Sequence, residues 1–177
     1  MAKLVSTFFI ALDGVVESPE QWHFPYFNDE MGASMTESTN SAAFLMGRTL
    51  YDQWSSYWPQ QDDTVPFASF INTVPKYVIS STVTDPQWHA TTVLPGDPAA
   101  VRAVKESTDG EIHMSGSATT VRWLVREGLL DELHLLVHPI AVGHGQRLFE
   151  GTTSIPLTLV NQRAFGTGVL DVTYTPA

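Results

Sequence analysis

The sequence predicts an α/β protein with a mostly parallel central sheet that is flanked by helices and closed by an antiparallel C-terminal hairpin. Apolar, β-rich segments alternate along the chain with segments of helical spacing, which is the pattern of a parallel sheet. The first strand, residues 4–12, is apolar with little alternation, as expected for a strand covered on both faces. Two β-rich runs on either side of Gly166-Thr167-Gly168 predict the hairpin.

The composition fits one globular domain over residues 1–177. Hydrophobic residues make up 43% of the chain and charged residues 16%, which is enough apolar surface for a core. A net charge of −10 argues against nucleic acid or an anionic membrane surface as a partner. The chain has no cysteine, so disulfides, thiolate nucleophiles and cysteine-bound zinc are excluded. We therefore expect a cytoplasmic protein, whose apolar N-terminal run is the first strand rather than a signal peptide.

The remaining elements follow from turn residues and helix caps. Asn28 predicts the start of one helix, with Asp29 and Glu30 in its first turn, and Asp97-Pro98 predicts the start of another. Helices are predicted over residues 28–39, 50–58, 67–73 and 98–107, and strands over residues 43–46, 76–80, 91–94, 111–114, 133–137, 157–162 and 169–174. Residues 59–65 are predicted to form a loop. Residues 15–27, rich in proline and aromatics, form a loop that either folds over something apolar or is anchored on the surface.

The centre of the chain predicts a βαβ unit. A strand over residues 111–114 turns through Ser115-Gly116-Ser117 into a helix, which Gly128 ends, and a strand over residues 133–137 follows. Val121, Leu124 and neighbouring apolar residues recur at helical spacing. Such a unit implies parallel pairing and a right-handed crossover.

Four polar or glycine-containing turns follow predicted strands. They are Leu12-Asp13-Gly14, Gly47-Arg48-Thr49, Ser80-Ser81-Thr82 and Gly116-Ser117-Ala118-Thr119. Ligands of open α/β sheets bind outside the carboxyl ends of the strands, and helix N-termini attract phosphate. A single turn of this kind also occurs wherever a helix packs tightly on a sheet, but four together predict a dinucleotide or a similar polyphosphate ligand. Arg48, directly after a junction glycine, is placed to meet an anion.

These segments resemble a known family. The order ALDG, MGRTLY, VISS, a Gly-Ser turn and GLLDELHLLVHPIAVGHGQRLFEG is similar to the dihydrofolate reductase-like superfamily. More narrowly, it resembles the reductase domain at the C-terminus of bacterial riboflavin-biosynthesis deaminase–reductases and the stand-alone relatives of that domain. The similarity covers essentially the whole chain, and MGRTLY is among its most specific segments. It implies a dihydrofolate reductase-like fold and an NADPH-dependent reductase.

The resemblance also implies which residues bind NADPH. It places Gly47, Arg48 and Thr49 at the phosphates, with Arg48 facing the 2′-phosphate, and Ser80 and Ser81 near the adenosine. It places Gly116, Ser117, Ala118 and Thr119 around the pyrophosphate, and Ala11, Leu12, Asp13 and Gly14 beside the nicotinamide. The family turn often has two or three consecutive glycines where this chain has Ser115-Gly116-Ser117.

The proton donor has several candidates. Folate reductases place a carboxylate shortly after a Trp-x-x-Pro element, and here the element that begins at Trp22 is followed by Phe27 instead of an acid. Asp29 or Glu30 takes this role if the helix is shifted; otherwise both only complement the helix dipole, and the proton comes from water or from the substrate. Trp22 and Phe27 are predicted to wall the substrate pocket.

The function we expect is hydride transfer from NADPH to a small pterin- or pyrimidine-like substrate. The alternative is a non-catalytic nucleotide- or ligand-binding protein on the same fold. A zinc deaminase is excluded because the chain has no cysteine pair. His134 and His138 share a strand face but have no ligand set around them, so we expect no metal. The expected partner is a small-molecule substrate. If the protein forms an oligomer, we expect a homodimer.

Overall fold

Eight strands form one sheet in the computed structural model, which describes residues 1–62 and 64–177. The strands are β1 Leu4–Ala11, β2 Ala43–Gly47, β3 Lys76–Ile79, β4 Thr91–Leu94, β5 Ile112–Ser115, β6 Glu132–His138, β7 Leu157–Ala164 and β8 Leu170–Pro176. Their order in the sheet is β4-β3-β2-β5-β1-β6-β8-β7. The first six strands in this order pair in parallel, whereas β8 pairs antiparallel with both β6 and β7. The predicted fold class is confirmed.

Five α-helices flank the sheet in the described part of the chain. They are α1 Asp29–Glu37, α2 Arg48–Tyr57, α3 Pro66–Thr73, α4 Pro98–Ser107 and α5 Ala118–Arg126. The side chain of Asn28 accepts a hydrogen bond from the backbone N–H of Met31 at 3.0 Å, and that of Asp97 accepts one from Ala99 at 2.9 Å. These bonds satisfy N–H groups that the first helical turn leaves free, so α1 and α4 begin where the sequence predicts. The predicted loop over residues 59–65 includes Asp63, which lies outside the described residues.

The central βαβ unit differs from the prediction in one respect. Gly128 ends α5 in the left-handed conformation, with φ of +63°, as expected. However, β5 and β6 do not pair with each other, because β1 lies between them. Thr7 of β1 is in register with Ser115 on one side and His134 on the other. The apolar first strand thus takes a central position with a parallel neighbour at each side, and six of its eight residues are buried.

Each face of the sheet is covered by a different set of helices. One face packs against α4 and α5 through buried residues such as Val101, Val121 and Leu124. On the other face, α2 and α3 cover β2 and β3, and α1 covers the carboxyl-terminal halves of β1 and β6, where Met31 contacts a cluster around Leu136. No helix of the described residues is long and apolar enough to cross a membrane.

Candidate functional site

The parallel strands bring the predicted turns to one edge of the sheet. Because β1, β2, β3 and β5 run in the same direction, the segments that follow them lie at the same end. The strand order makes β2 the neighbour of both β3 and β5. The turn at Gly47 therefore lies between the turn at Ser80 and the turn at Gly116, with the turn at Asp13 beyond β5.

The starts of α2 and α5 touch at Gly47. A Cβ atom added to Gly47 would lie 2.6 Å from Oγ1 of Thr120 and 3.0 Å from Oγ of Ser117. Gly47 has an ordinary φ of −85°, so the glycine is needed here for space and not for backbone conformation. The hydroxyls of Ser117 and Thr120 lie 2.7 Å apart. Two helix N-termini, each favourable for an anion, thus meet beside a hydroxyl pair.

The turn before α5 has two consecutive left-handed residues. Gly116 has a φ of +77° and Ser117 a φ of +61°. A non-glycine residue in this region costs roughly 1–2 kcal/mol, so Ser117 keeps the turn shape that glycine would give more easily. The Ser117 side chain makes no capping hydrogen bond to α5. Ala118 is buried, and Thr119 is exposed, with its hydroxyl accepting a hydrogen bond from Arg122 at 3.3 Å.

The structure brings Arg48, Ser80 and Ser81 together. They line a cleft of about 320 Å³ together with Ile79, Thr82 and Gly96. Arg48 Nη1 lies 2.5 Å from a carboxylate oxygen of Asp52, one turn further along α2, and both side chains are about half exposed. An exposed ion pair of this kind contributes only about 0–1 kcal/mol, so the guanidinium can exchange Asp52 for a phosphate. Thr49 is exposed on the first turn of the same helix.

Ser80 also stabilises the turn that follows β3. Its hydroxyl oxygen accepts hydrogen bonds from the backbone N–H groups of Thr82 and Val83, each at 3.1 Å. These bonds shape the turn after β3, whose residues line the cleft.

The segment after β1 is hydrogen-bonded to the loop that follows β6. Asp13 accepts a hydrogen bond from the backbone N–H of Gly143 at 2.7 Å, and this bond is the main reason why the pKa of its carboxyl lies below the ordinary value. The backbone N–H of Leu12 donates to the carbonyl of Ile140 at 2.8 Å. Ala11 is buried, Leu12 exposes its side chain, and Gly14 has a φ of +86°. One oxygen of the Asp13 carboxylate therefore binds the loop that follows β6.

Trp22 and Phe27, the two residues predicted to line the substrate pocket, differ in their exposure to solvent. Trp22 is buried against Ala11 and Val15, and its indole N–H donates to the carbonyl of Glu17 at 3.1 Å. Phe27 is 48% exposed, and its ring lies over Gly32 in α1. Of the two, only Phe27 presents a large open surface.

Two histidines that the sequence did not assign to the site lie close together, one in the loop of residues 15–27 and the other at the end of β6. His23 is buried and stacks on Phe9, with ring centres 4.6 Å apart and planes 9° apart. His138 is fully buried, and the rings of Trp22 and Tyr26 lie 5.2 and 5.8 Å from it. Burial lowers the pKa of both imidazoles. The sequence offered one sign of each: His23 is a polar residue within an aromatic loop, and His138 is a polar residue at the end of an apolar strand.

The two predicted acids differ in their surroundings. Glu30 accepts a hydrogen bond from the backbone N–H of Gly166 at 2.7 Å and another from the side chain of Asn28 at 2.8 Å. These two bonds, the one from Gly166 most strongly, lower the pKa of Glu30. An ionised carboxylate is a poor proton donor, so this geometry disfavours Glu30 as the acid. Asp29 is exposed at the first position of α1, directly after the Asn28 cap.

The fold and this edge of the sheet define a dihydrofolate reductase-like α/β protein. A family model described as the RibD C-terminal domain matches residues 2–170, and the chain belongs to that family. The family that the sequence motifs indicate is thereby confirmed.

Individual relatives agree with this placement. The chain is 28% identical over 171 residues to the uncharacterized protein YyaP of Bacillus subtilis, covering 93% of this chain and 90% of that protein. A crystal structure from Shewanella sp. PV-4, of a protein whose name links it to riboflavin biosynthesis, superposes with a TM-score of 0.74 at 21% identity and covers 100% of this chain and 99% of its own. The riboflavin biosynthesis reductase Rib7 of Saccharomyces cerevisiae gives a TM-score of 0.63 at 12% identity, over 99% of this chain and 90% of its own. At these identities the two structures show a shared fold.

Proposed function

We propose that the protein is an NADPH-dependent oxidoreductase that reduces a small heterocyclic substrate of the pterin or pyrimidine type. The observation that carries the proposal is the position of Arg48, Ser80 and Ser81 around one cleft, beside the touching starts of α2 and α5. Membership of the RibD C-terminal domain family and the presence of a reductase among the structural relatives support the same class of reaction.

The groups at the carboxyl ends of the parallel strands suit the phosphate groups of NADPH. A pyrophosphate requires N–H donors and positive potential, which the starts of α2 and α5 supply. NADPH differs from NADH by a 2′-phosphate, and Arg48 offers a planar guanidinium for that group. The protein's net charge of −10 repels an anionic cofactor, so binding depends on these local donors.

The loop between β1 and α1 supplies a surface for a flat ring. Phe24 and Phe27 are 64% and 48% exposed, and their ring centres lie 4.1 and 6.3 Å from that of His23. Exposed aromatic faces bind heterocycles by stacking and by excluding water. We therefore assign the substrate to this loop, with Phe27 rather than Trp22 as its contact residue.

Reduction of a C=N or C=O bond consumes one hydride and one proton. The nicotinamide supplies the hydride when NADPH is bound. The proton requires a source within hydrogen-bond reach, and Glu30 is held ionised by Gly166 and Asn28. Asp29 is exposed at the first position of α1. We therefore propose that water delivers the proton, with Asp29 as the remaining side-chain candidate.

Calorimetric titration of the protein with NADPH and NADH, followed by absorbance assays with pterins and pyrimidines, tests the proposal. Saturable binding with preference for NADPH, together with oxidation that depends on a heterocycle, is the expected result. Binding of NADPH without oxidation by any such compound would favour the alternative, a non-catalytic nucleotide-binding protein. Absence of NADPH binding would refute the cofactor assignment.

A further inference from the structure

His23 packs against two aromatic rings in the loop to which we assign the substrate. Its imidazole stacks on Phe9, with ring centres 4.6 Å and planes 9° apart, and the ring of Phe24 lies 4.1 Å from it at a tilt of 36°. Only 7% of His23 is exposed, whereas Phe24 and Phe27 keep large open surfaces. A ligand that binds to this loop can therefore reach His23 only at a small part of its ring.

The two ring nitrogens of His23 have no hydrogen-bond partner among residues 1–62 and 64–177, but they differ in accessibility. Nδ1 is fully enclosed, whereas Nε2 is not. Burial lowers the pKa of His23, so at neutral pH its imidazole is uncharged and carries one N–H and one acceptor nitrogen. A buried N–H without an acceptor is the rarer case in proteins, so we assign the hydrogen to Nε2 and the acceptor lone pair to Nδ1.

His138, the other buried imidazole of the cluster, shows how such a donor is normally satisfied. Its Nδ1 lies 2.7 Å from the carbonyl oxygen of Leu136, so Nδ1–H donates to the backbone. Only its acceptor nitrogen, Nε2, is enclosed without a partner. In the described part of the chain, the protein thus satisfies the N–H of His138 but supplies no acceptor for the N–H of His23.

An imidazole at position 23 has a cost that a hydrocarbon ring would avoid. A buried polar group without a partner destabilises the folded protein, and a phenylalanine would pack against Phe9 without that loss. The nitrogen of His23 that is not enclosed is therefore explained by a partner that arrives with a ligand.

We propose that His23 binds the heterocyclic substrate through Nε2–H, which donates a hydrogen bond to an acceptor atom at the edge of the ring. A flat ring that stacks on Phe27 lies beside His23, because the ring centres of these two side chains are 6.3 Å apart. His23 then selects heterocycles with a carbonyl oxygen or an unprotonated ring nitrogen over hydrocarbons of the same shape. The inference rests on the proposed function, since it names a specificity-determining residue for that substrate.

Fluorescence titration with two flat bicyclic probes tests the contact. Lumazine, which is pteridine-2,4-dione, has carbonyl and ring-nitrogen acceptors, whereas naphthalene has the same fused rings and no such acceptor. His23→Phe should weaken lumazine binding by about tenfold, because the hydrogen bond is lost and the acceptor stays unpaired. Naphthalene should bind both proteins equally well. His23→Gln keeps a side-chain N–H and should recover part of the lumazine affinity.

His138→Phe is the matched control, because it makes the same substitution in the same cluster at an imidazole whose N–H is satisfied by the backbone. It should bind lumazine as the unchanged protein does. Thermal unfolding checks that each variant is folded. Long-range ¹H–¹⁵N correlation spectra of the unchanged protein require no variant and should show the hydrogen of His23 on Nε2 in the lumazine complex.

Titration of the same proteins with NADPH separates this contact from the proposed function. NADPH affinity should be the same in His23→Phe as in the unchanged protein. Equal lumazine affinity of these two proteins, an equal loss in His138→Phe, a hydrogen on Nδ1 of His23, or no lumazine binding with or without NADPH would overturn the contact. Lumazine binding that depends on His23 in a protein that does not bind NADPH would support the contact and refute the cofactor assignment alone.

Discussion

Arg48 has a single exposed partner, Asp52, in the part of the chain that the structure describes, and it exchanges that partner at low cost. If Arg48 binds the 2′-phosphate, Arg48→Ala should weaken NADPH binding by about 1.5–3 kcal/mol and leave NADH almost unaffected. Titration with both cofactors measures the difference. Arg126→Ala, at the far end of α5, is the control for loss of one positive charge. Equal losses for NADPH and NADH in Arg48→Ala would contradict the assignment.

The proton source is tested at Glu30 and Asp29. Glu30→Gln keeps an amide oxygen that can accept from Gly166, and we expect it to change the hydride-transfer rate by less than about threefold, since general-acid loss costs roughly 10²–10⁴-fold. We expect the same of Asp29→Asn if water is the source. Single-turnover rates across pH decide between these cases. A large rate loss with a flattened pH profile in either variant would identify that residue as the acid.

At the scale of secondary structure, the sequence predicts most of what the structure contains. Every predicted strand and helix is present, with ends within two residues of the predicted ends. Caps such as Asn28 and glycines such as Gly128 are local signals, so helix boundaries follow from them directly. The insertion of β1 between β5 and β6 was not predicted, because strand order depends on which strand gains most from burial and not on neighbouring residues.

At the same scale, the contact between the starts of α2 and α5 can be tested at Gly47. Gly47→Ala should destabilise the protein by about 1–3 kcal/mol, because the new methyl group would overlap Oγ1 of Thr120. Adding Thr120→Ala should restore part of the loss. Gly96→Ala, where a Cβ meets nothing within 4 Å, is the matched control and should be nearly neutral. Urea denaturation gives the free energies. Gly116 is less suited to this test because its φ of +77° strains any substitution.

At the scale of the whole molecule, the carboxyl edge of the sheet was predictable and the loop beside it was not. Arg48 and Ser80 follow parallel strands, so the strand directions alone place them at one edge. His23 and Trp22 belong to an irregular loop, whose burial depends on long-range packing against β1 and β6. No local pattern distinguishes a loop aromatic that fills the core from one that faces a substrate.

Two buried histidines, His23 of this loop and His138 at the end of β6, determine how the stability of the whole protein depends on pH. Burial lowers the pKa of His23 and of His138 from an ordinary value of 6.5, so the unfolded chain takes up protons that the folded protein resists. Their contribution to stability is therefore complete above a pH of about 6.5 and is lost as the pH falls below it. Each histidine adds a slope of at most about 1.4 kcal/mol per pH unit.

Urea denaturation of His23→Phe, His138→Phe and the double variant, at pH values of about 7.5 and 5.5, measures this slope. The phenylalanines keep an aromatic ring in the cluster with Phe9, so the comparison concerns the change with pH and not the absolute stability. Each single variant should lose part of the fall in stability between the two pH values, and the double variant most of it. His89→Gln, an exposed residue, should retain the full fall. If the double variant loses as much stability on acidification as the unchanged protein, another group governs the pH dependence.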